Sequence, residues 1–381
     1  MAAPEALGES SQHGDHVSGM DPRTAVKEGL ASQRRRARAW KNVAQSATYR
    51  RIRPSWVPRP HAAHVLLTYK CNLKCLGCGS WKVRDHSDLS AAEWLHTFGQ
   101  LKSLDIVKIL GGEPMVRKDL TQILQGVRSI IDPYVLQLTT NGMMTERTLE
   151  VIQAVAWPGL QLRISVDGTR ETHDRMRGVT GSWDLVNETV QRVSELQGRY
   201  GFKFGINFAV TDHSLADFDA MVDYAGSVGA DLIPGVNVDP FLVGTVPPEI
   251  RQQQVIMLED PAKGLAKLED HRVGTKRELP WVDHLLSRFV TKRTFEHQIK
   301  EKQHRFVCRE LRDLLYLLPD GSVVRCGMDH EPIGNVRSQN FDEIWFGDGM
   351  EKYRKKVDDC PGCLQASVQI LSRVYGGCLD G

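Results

Sequence analysis

Long apolar runs are missing from this chain of 381 residues; none approaches the ~18 that a membrane-crossing helix requires. The first residues, M-A-A-P-E-A-L-G-E-S-S-Q-H-G-D-H, have neither a cationic start nor an apolar stretch, so no secretory signal is expected. Cysteine is scarce, eight in all, and clustered like ligands rather than spread like staples, which excludes a disulfide scaffold. Net charge is small, +2, and favours neither nucleic acid nor an acidic partner for the chain as a whole. What remains, 41% apolar and 25% charged residues, describes an ordinary globular protein with a reduced, cytoplasmic setting as the expectation.

Acidic residues are also missing between Ala31 and Pro60, where Arg34, Arg35, Arg36, Arg38, Lys41, Arg50, Arg51, Arg53 and Arg59 are interleaved with Trp40, Tyr49 and Trp56. Such a segment packs its aromatics and keeps its cations wet, or else meets an anionic membrane surface or acidic substrate. Residues 1–30 lack periodicity and read as a disordered tail, followed by this basic aromatic segment at 31–61. From 62 to 239 short β-prone runs alternate with amphipathic ones. Strands are expected at His64–Tyr69, Ile106–Leu110, Tyr134–Thr139, Gln161–Val166, Lys203–Val210 and Asp231–Val238, with helices between them. That alternation predicts an α/β fold, a partial (β/α)6 barrel of TIM type with function at the C-terminal strand ends. Residues 240–305 read as a helical bridge, with helices at Pro248–Leu258 and around Val282–Lys302. The small domain at 306–381 is expected to hold a hairpin around Pro319-Asp320-Gly321. An extended piece starting at Gly334 and a helix from Phe341 through Arg354 are expected to follow.

The chemistry centres on H-V-L-L-T-Y-K-C-N-L-K-C-L-G-C-G-S-W-K-V, residues 64–83. Cys71, Cys75 and Cys78 stand at C-x3-C-x2-C spacing just past a predicted strand. Three thiolates in one loop suit three corners of a [4Fe-4S] cube and leave one iron open; a closed zinc site or buried thiols are the alternatives. Further candidates follow at successive strand ends. Gly111-Gly112-Glu113-Pro114 brings a backbone and a carboxylate close to a ligand, or simply closes a strand. Asn141, within Thr139-Thr140-Asn141-Gly142, also reads as part of a turn. Ser165 and Asp167 offer a hydroxyl and a carboxylate. Arg177 suits a ligand carboxylate, or a surface bridge to Asp174. Near the C-terminus Cys308 and Cys326 bracket the hairpin and Cys360 and Cys363 form a C-x2-C; on spacing alone this set would accept zinc.

In this order and at these positions, the motifs from Ala62 to Val238 resemble the radical SAM superfamily. The resemblance implies a [4Fe-4S] cluster on Cys71, Cys75 and Cys78, with S-adenosylmethionine chelating the open iron. It places Gly111, Gly112 and Glu113 at the methionyl amino group, Ser165 at the ribose, Arg177 at the methionyl carboxylate and Asn207 facing the cofactor. The C-terminal cysteines resemble the SPASM/Twitch extension. A full SPASM domain uses about seven cysteines, so the five here imply the Twitch form, with a second, auxiliary [4Fe-4S] cluster on Cys308, Cys326, Cys360 and Cys363 and with Cys378 left over. The resemblance implies an oxidoreductase that abstracts hydrogen from a substrate C–H bond, served by a reductant such as flavodoxin or ferredoxin. A small molecule or lipid head group is expected as substrate, the latter through peripheral membrane contact by residues 31–60. A ribosomal peptide, or an outcome of addition or carbon–carbon coupling, is the alternative, and a non-catalytic iron–sulfur or zinc protein the last; nucleic acid is not expected. One position departs from the family, which usually has an aromatic before the third cysteine: here it is Gly77, leaving Trp81 or Tyr69 to wall the adenine.

Overall fold

A computed structural model describes residues 22–52, 56–84, 87–236, 308–327 and 329–360, with short pieces at 250, 259–260, 263–264, 266–267, 371–372 and 374–375. The expected helices at Pro248–Leu258 and Val282–Lys302 lie outside this range almost entirely. Six parallel strands, β1 (Ala62–Leu66), β2 (Ile106–Leu110), β3 (Val135–Thr140), β4 (Leu160–Ser165), β5 (Lys203–Val210) and β6 (Asp231–Val236), pair strictly with their sequence neighbours. Helices α2 (Ala91–Gln100), α3 (Leu120–Gly126), α4 (Thr145–Val155), α5 (Arg170–Arg177), α6 (Ser182–Tyr200) and α7 (Phe218–Ser227) alternate with them. This is the α/β, open-barrel arrangement that the alternation predicts.

The strands form because every second residue is apolar and faces the helices. Val107, Ile109, Leu136, Leu138, Leu162 and Ile164 are fully buried in one core with Trp94, Phe98 and Trp157. The intervening residues face the other way, into the lumen. Local signals agree with this packing: Ser90 and Glu93 make a reciprocal capping box at the start of α2.

β7 (Leu314–Leu317) pairs in parallel with β1, and β8 (Ser322–Cys326) and β9 (Asp329–Asn335) continue antiparallel, giving one nine-stranded sheet. The small domain thus extends the barrel's sheet. Its hairpin turns at Pro319-Asp320-Gly321 as expected. Two expectations are corrected. Gly334 lies at the end of β9 rather than at the start of a strand, and the helix from Phe341 breaks at Gly347 into α8 (Phe341–Phe346) and α9 (Asp348–Asp358).

The expected disordered tail to residue 30 is also corrected, because α1 (Pro22–Ile52) already begins at Pro22. Arg35, Arg38, Asn42 and Ser46 recur at intervals of three and four, so they share one helix face. That face meets aspartates at the N-terminal strand ends. Arg35 donates to Asp132 (2.9 Å), Arg38 to Asp105 (3.1 Å) and to the Asp132 carbonyl (2.7 Å), Asn42 to Asp105 (2.8 Å), and Ser46 to Asp313 (2.7 Å). The basic segment therefore spends two of its cations on clamping the barrel's lower end.

Candidate functional site

The cluster loop follows β1 and is held from two sides. On one side the Gly112 amide donates to the Thr68 carbonyl (2.7 Å) and the Glu113 amide to the Lys70 carbonyl (2.8 Å). A β-carbon on Gly112 would lie 2.3 Å from the Lys70 oxygen, so only glycine lets the two chains cross here. On the other side the Leu76 amide donates to the Met176 carbonyl (2.9 Å) at the end of α5. Gly178, at φ 70°, closes α5 against the Lys74 carbonyl, which a β-carbon would approach to 2.6 Å.

Cys71, Cys75 and Cys78 are free, half-buried thiols on this loop. They share one environment. Burial pushes the Cys71 thiol up to about 12, and the neighbouring Cys75, Glu113 and Cys78 add to the shift against the Leu73 amide. Burial also raises Cys75, while the Arg177 guanidinium, 3.8 Å from its sulfur, opposes that. Asn141 reaches the Cys71 sulfur at 3.9 Å and holds Asn72 at 2.7 Å. Among the described residues no three metal-binding side chains already surround a common point. Three thiols gathered beside a guanidinium are nonetheless a donor set that suits iron, since a coordinating thiol is held deprotonated by the metal.

The strand-end residues gather around this loop, with some changes of role. Glu113 is fully buried, and its carboxylate accepts from the Met115 amide (2.9 Å), the Thr140 hydroxyl (2.8 Å) and the Asn141 amide (2.7 Å). Its side chain thus ties the second strand end to the third. The Gly112 and Glu113 amides are thus already engaged with the carbonyls after β1. Arg177 does not bridge to Asp174, which instead caps α6 through Gly181, Ser182 and Trp183. It pairs with Asp167 at 2.9 Å, both largely buried, while its Nε is buried without a partner. Asp167 is steadied by the Ala209 amide (3.1 Å). Ser165 and Asn207 are register partners on β4 and β5, half-buried and facing the lumen. Tyr69 is committed to a core cluster with Leu66 and Tyr316, whereas Trp81 is half-buried with its indole N–H unpartnered.

In the small domain Cys308, Cys326 and Cys360 are half-buried, and Cys363 and Cys378 lie outside the described residues. Arg325 feels both Cys326 and Cys360, which places hairpin and α9 terminus on one side. The sequence motifs did not single out His64, Lys108 and Arg163. Their signal was present: each is a polar residue midway along a strand whose alternate residues are apolar.

A thiol-rich loop and polar strand ends at the upper mouth of an open parallel barrel define an iron–sulfur protein. The chain belongs to the radical SAM superfamily, matched over residues 65–225, and carries a SPASM iron–sulfur cluster-binding domain over residues 308–364. These two domains imply [4Fe-4S] clusters and S-adenosylmethionine. Among curated relatives, the Fe-coproporphyrin III synthase of Methanosarcina barkeri is 30% identical over 41% of this chain; the match spans only 39% of that protein. The AdoMet-dependent heme synthase of the same organism is 26% identical, covering 82% of this chain and 89% of its own. The mycofactocin maturase MftC of Mycobacterium tuberculosis is 26% identical, covering 82% and 76%. The crystal structure of Streptococcus suis SuiB bound to S-adenosylmethionine shares the fold at TM-score 0.58 and 17% identity, covering 81% of this chain and 71% of that one.

Proposed function

We propose that this radical SAM enzyme oxidises a C–H bond of a substrate held in the barrel lumen, with Cys71, Cys75 and Cys78 as ligands of the S-adenosylmethionine-binding cluster. Cys308, Cys326, Cys360 and Cys363 are the proposed ligands of one auxiliary cluster. When bound, these groups supply an acceptor for one hydrogen atom and one for one electron, so that with loss of a proton the substrate leaves two hydrogens lighter. The observation that carries the reading is Arg177, which joins strand-end Asp167 to the Cys75 thiol and so ties the proposed cofactor cradle to the cluster loop. Buried beside Cys75, its fixed positive charge favours the thiolate form of that residue. Glu113 holds the strand ends in register, Ser165 and Asn207 present polar groups for ribose, and Trp81 offers the adenine a wall. The Gly111 and Gly112 carbonyls are the acceptors for the methionyl ammonium.

Arg35 and Arg38 of the basic segment are engaged at the barrel floor and so are not available to a lipid head group. Relatives of equal identity and equal coverage of this chain include a heme synthase and a mycofactocin maturase, and SuiB, which shares the fold, is known bound to a precursor peptide, so a small molecule and a peptide stand level as substrates. Product analysis under anaerobic, reducing conditions tests the reaction. Oxidation yields 5′-deoxyadenosine and a product about 2 Da lighter than the substrate; an adenosylated or coupled product contradicts it.

A further inference from the structure

The lumen contains a polar layer that the cofactor site does not use. His64 of β1, Lys108 of β2, Gln137 of β3 and Gln161 of β4 are register partners across four adjacent strands. Their strand neighbours Val65, Val107, Leu138 and Leu162 are fully buried in the helix-facing core, so alternation turns the four residues inward. Barrel interiors of this kind are ordinarily packed with Val, Ile and Leu. The carboxyl that the Lys108 ammonium feels is that of Glu310, fully buried with both oxygens unpartnered and pushed by burial up to about 8, so at neutral pH it stays largely protonated and leaves the ammonium without an ionised partner.

The side chains have not satisfied one another. His64 is 2% exposed, stacks on Tyr316 at 5.3 Å, and leaves both ring nitrogens buried without a hydrogen-bond partner. Lys108 is half-buried on the lumen side, and no hydrogen bond or ion pair within the described residues engages its ammonium. Burial and the charge of Arg163 lower its affinity for a proton, to a pKa of about 8, against the opposing influence of the Glu310 carboxylate. Arg163 is itself turned toward Gln161 (3.3 Å) and the charge of Asp231. Below the layer, Ala62, Leu314, Leu371 and Tyr375 close the lumen with Val43 of α1.

We infer that this layer is a subsite for a carboxylate group of the substrate, with Lys108 as its counter-ion and His64, Gln137 and Gln161 as neutral hydrogen-bonding groups. A single ammonium among amides and an imidazole suits a carboxylate; phosphate sites gather guanidinium groups or helix N-termini. Lys108 precedes Gly111 by three residues and Gln161 precedes Ser165 by four. At ~3.3 Å per residue the bound carboxylate sits ~10–13 Å below the strand ends, several bonds from the carbon that reacts. The carboxylate belongs either to an acidic peptide residue or to a small carboxylic acid. The inference rests on the reading above that the substrate enters this lumen.

Calorimetric titration of the reconstituted holoenzyme tests it. The probes are glutarate, glutaramide, the peptide acetyl-Ala-Ala-Glu-Ala-Ala-amide, its Gln counterpart and inorganic phosphate. At least one carboxylate should bind while its amide does not. Its Kd should rise about tenfold or more in Lys108→Met, and about threefold or less in Lys108→Arg. Binding of the peptide but not glutarate identifies a peptide source; the reverse identifies a small acid. No carboxylate binding, an unchanged Kd in Lys108→Met, or tighter binding of phosphate overturns the inference. Thermal unfolding gives a second reading: Lys108→Met should melt at a higher temperature, because a buried ammonium is gone while the Glu310 carboxyl it faced stays protonated, and a lower one would make Lys108 the structural counter-ion of Glu310. A wild-type enzyme that binds carboxylate but forms no 5′-deoxyadenosine fails only the radical reading. One that forms 5′-deoxyadenosine but binds no carboxylate fails only this inference.

Discussion

The two ends of the barrel are built on opposite terms. At the lower end, aspartates before β2, β3 and β7 are bound to Arg35, Arg38, Asn42 and Ser46 of a single helix face, with distances of 2.7–3.1 Å. At the upper end, three thiols are half-buried outside any disulfide, and their contacts are long: Cys71 with the Leu73 amide and Cys78 with the Ser80 hydroxyl at 3.4–3.5 Å, Asn141 with Cys71 and Arg177 with Cys75 at 3.8–3.9 Å. The lower end satisfies its charges internally and therefore stabilises. The upper end holds donors close together but leaves them available, which is what a site for a bound group needs. Conserving a fold and binding a ligand place opposite demands on the same kinds of side chain, and the barrel separates the two by the length of its strands.

Breaking the lower end should cost the most. Asp105→Ala leaves Arg38 and Asn42 without their shared, fully buried acceptor. We expect a loss of about 3 kcal/mol in chemical unfolding with no change in KM for S-adenosylmethionine. A variant with unchanged stability and a raised KM would erase the distinction between the ends.

A smaller effect sharpens the upper end. His173 is buried behind the Asp167–Arg177 pair and accepts from the Asp167 amide at 3.2 Å. Burial first, then the Arg177 charge, push it down to about 3 against the pull of Asp174. The unfolded chain therefore takes up this proton first as pH falls, so stability is fully present above about 6.5 and is lost toward 3. Between pH 7 and 5 the wild type should lose about 2 kcal/mol that His173→Asn does not lose. Equal losses in both, measured by urea unfolding, would show that His173 titrates freely.

Much of this was legible in the residues. Strand–helix alternation is a local signal, and β2 and β5 match their expected bounds because each carries an unbroken β-prone run. The cysteine spacing and the strand-end glycines were equally plain. What escaped depended on long-range contact. The α1 clamp unites residues 35 to 313, and its arginines look like any solvated basic stretch until the aspartates they meet are known. The Glu113 side chain read as a ligand group, yet its acceptors are spent on Thr140 and Asn141, 27 and 28 residues away. The inward Lys108 needed the sheet's register to be seen beside His64 and Gln137.

The central claim is that the upper mouth performs radical chemistry through its three thiols. The direct test is 5′-deoxyadenosine formation by the anaerobic, dithionite-reduced holoenzyme and by the variant carrying Cys71→Ala, Cys75→Ala and Cys78→Ala. The wild type should form the product and the variant, still folded through its lower end, should form none. Product formation surviving in the variant would contradict the assignment.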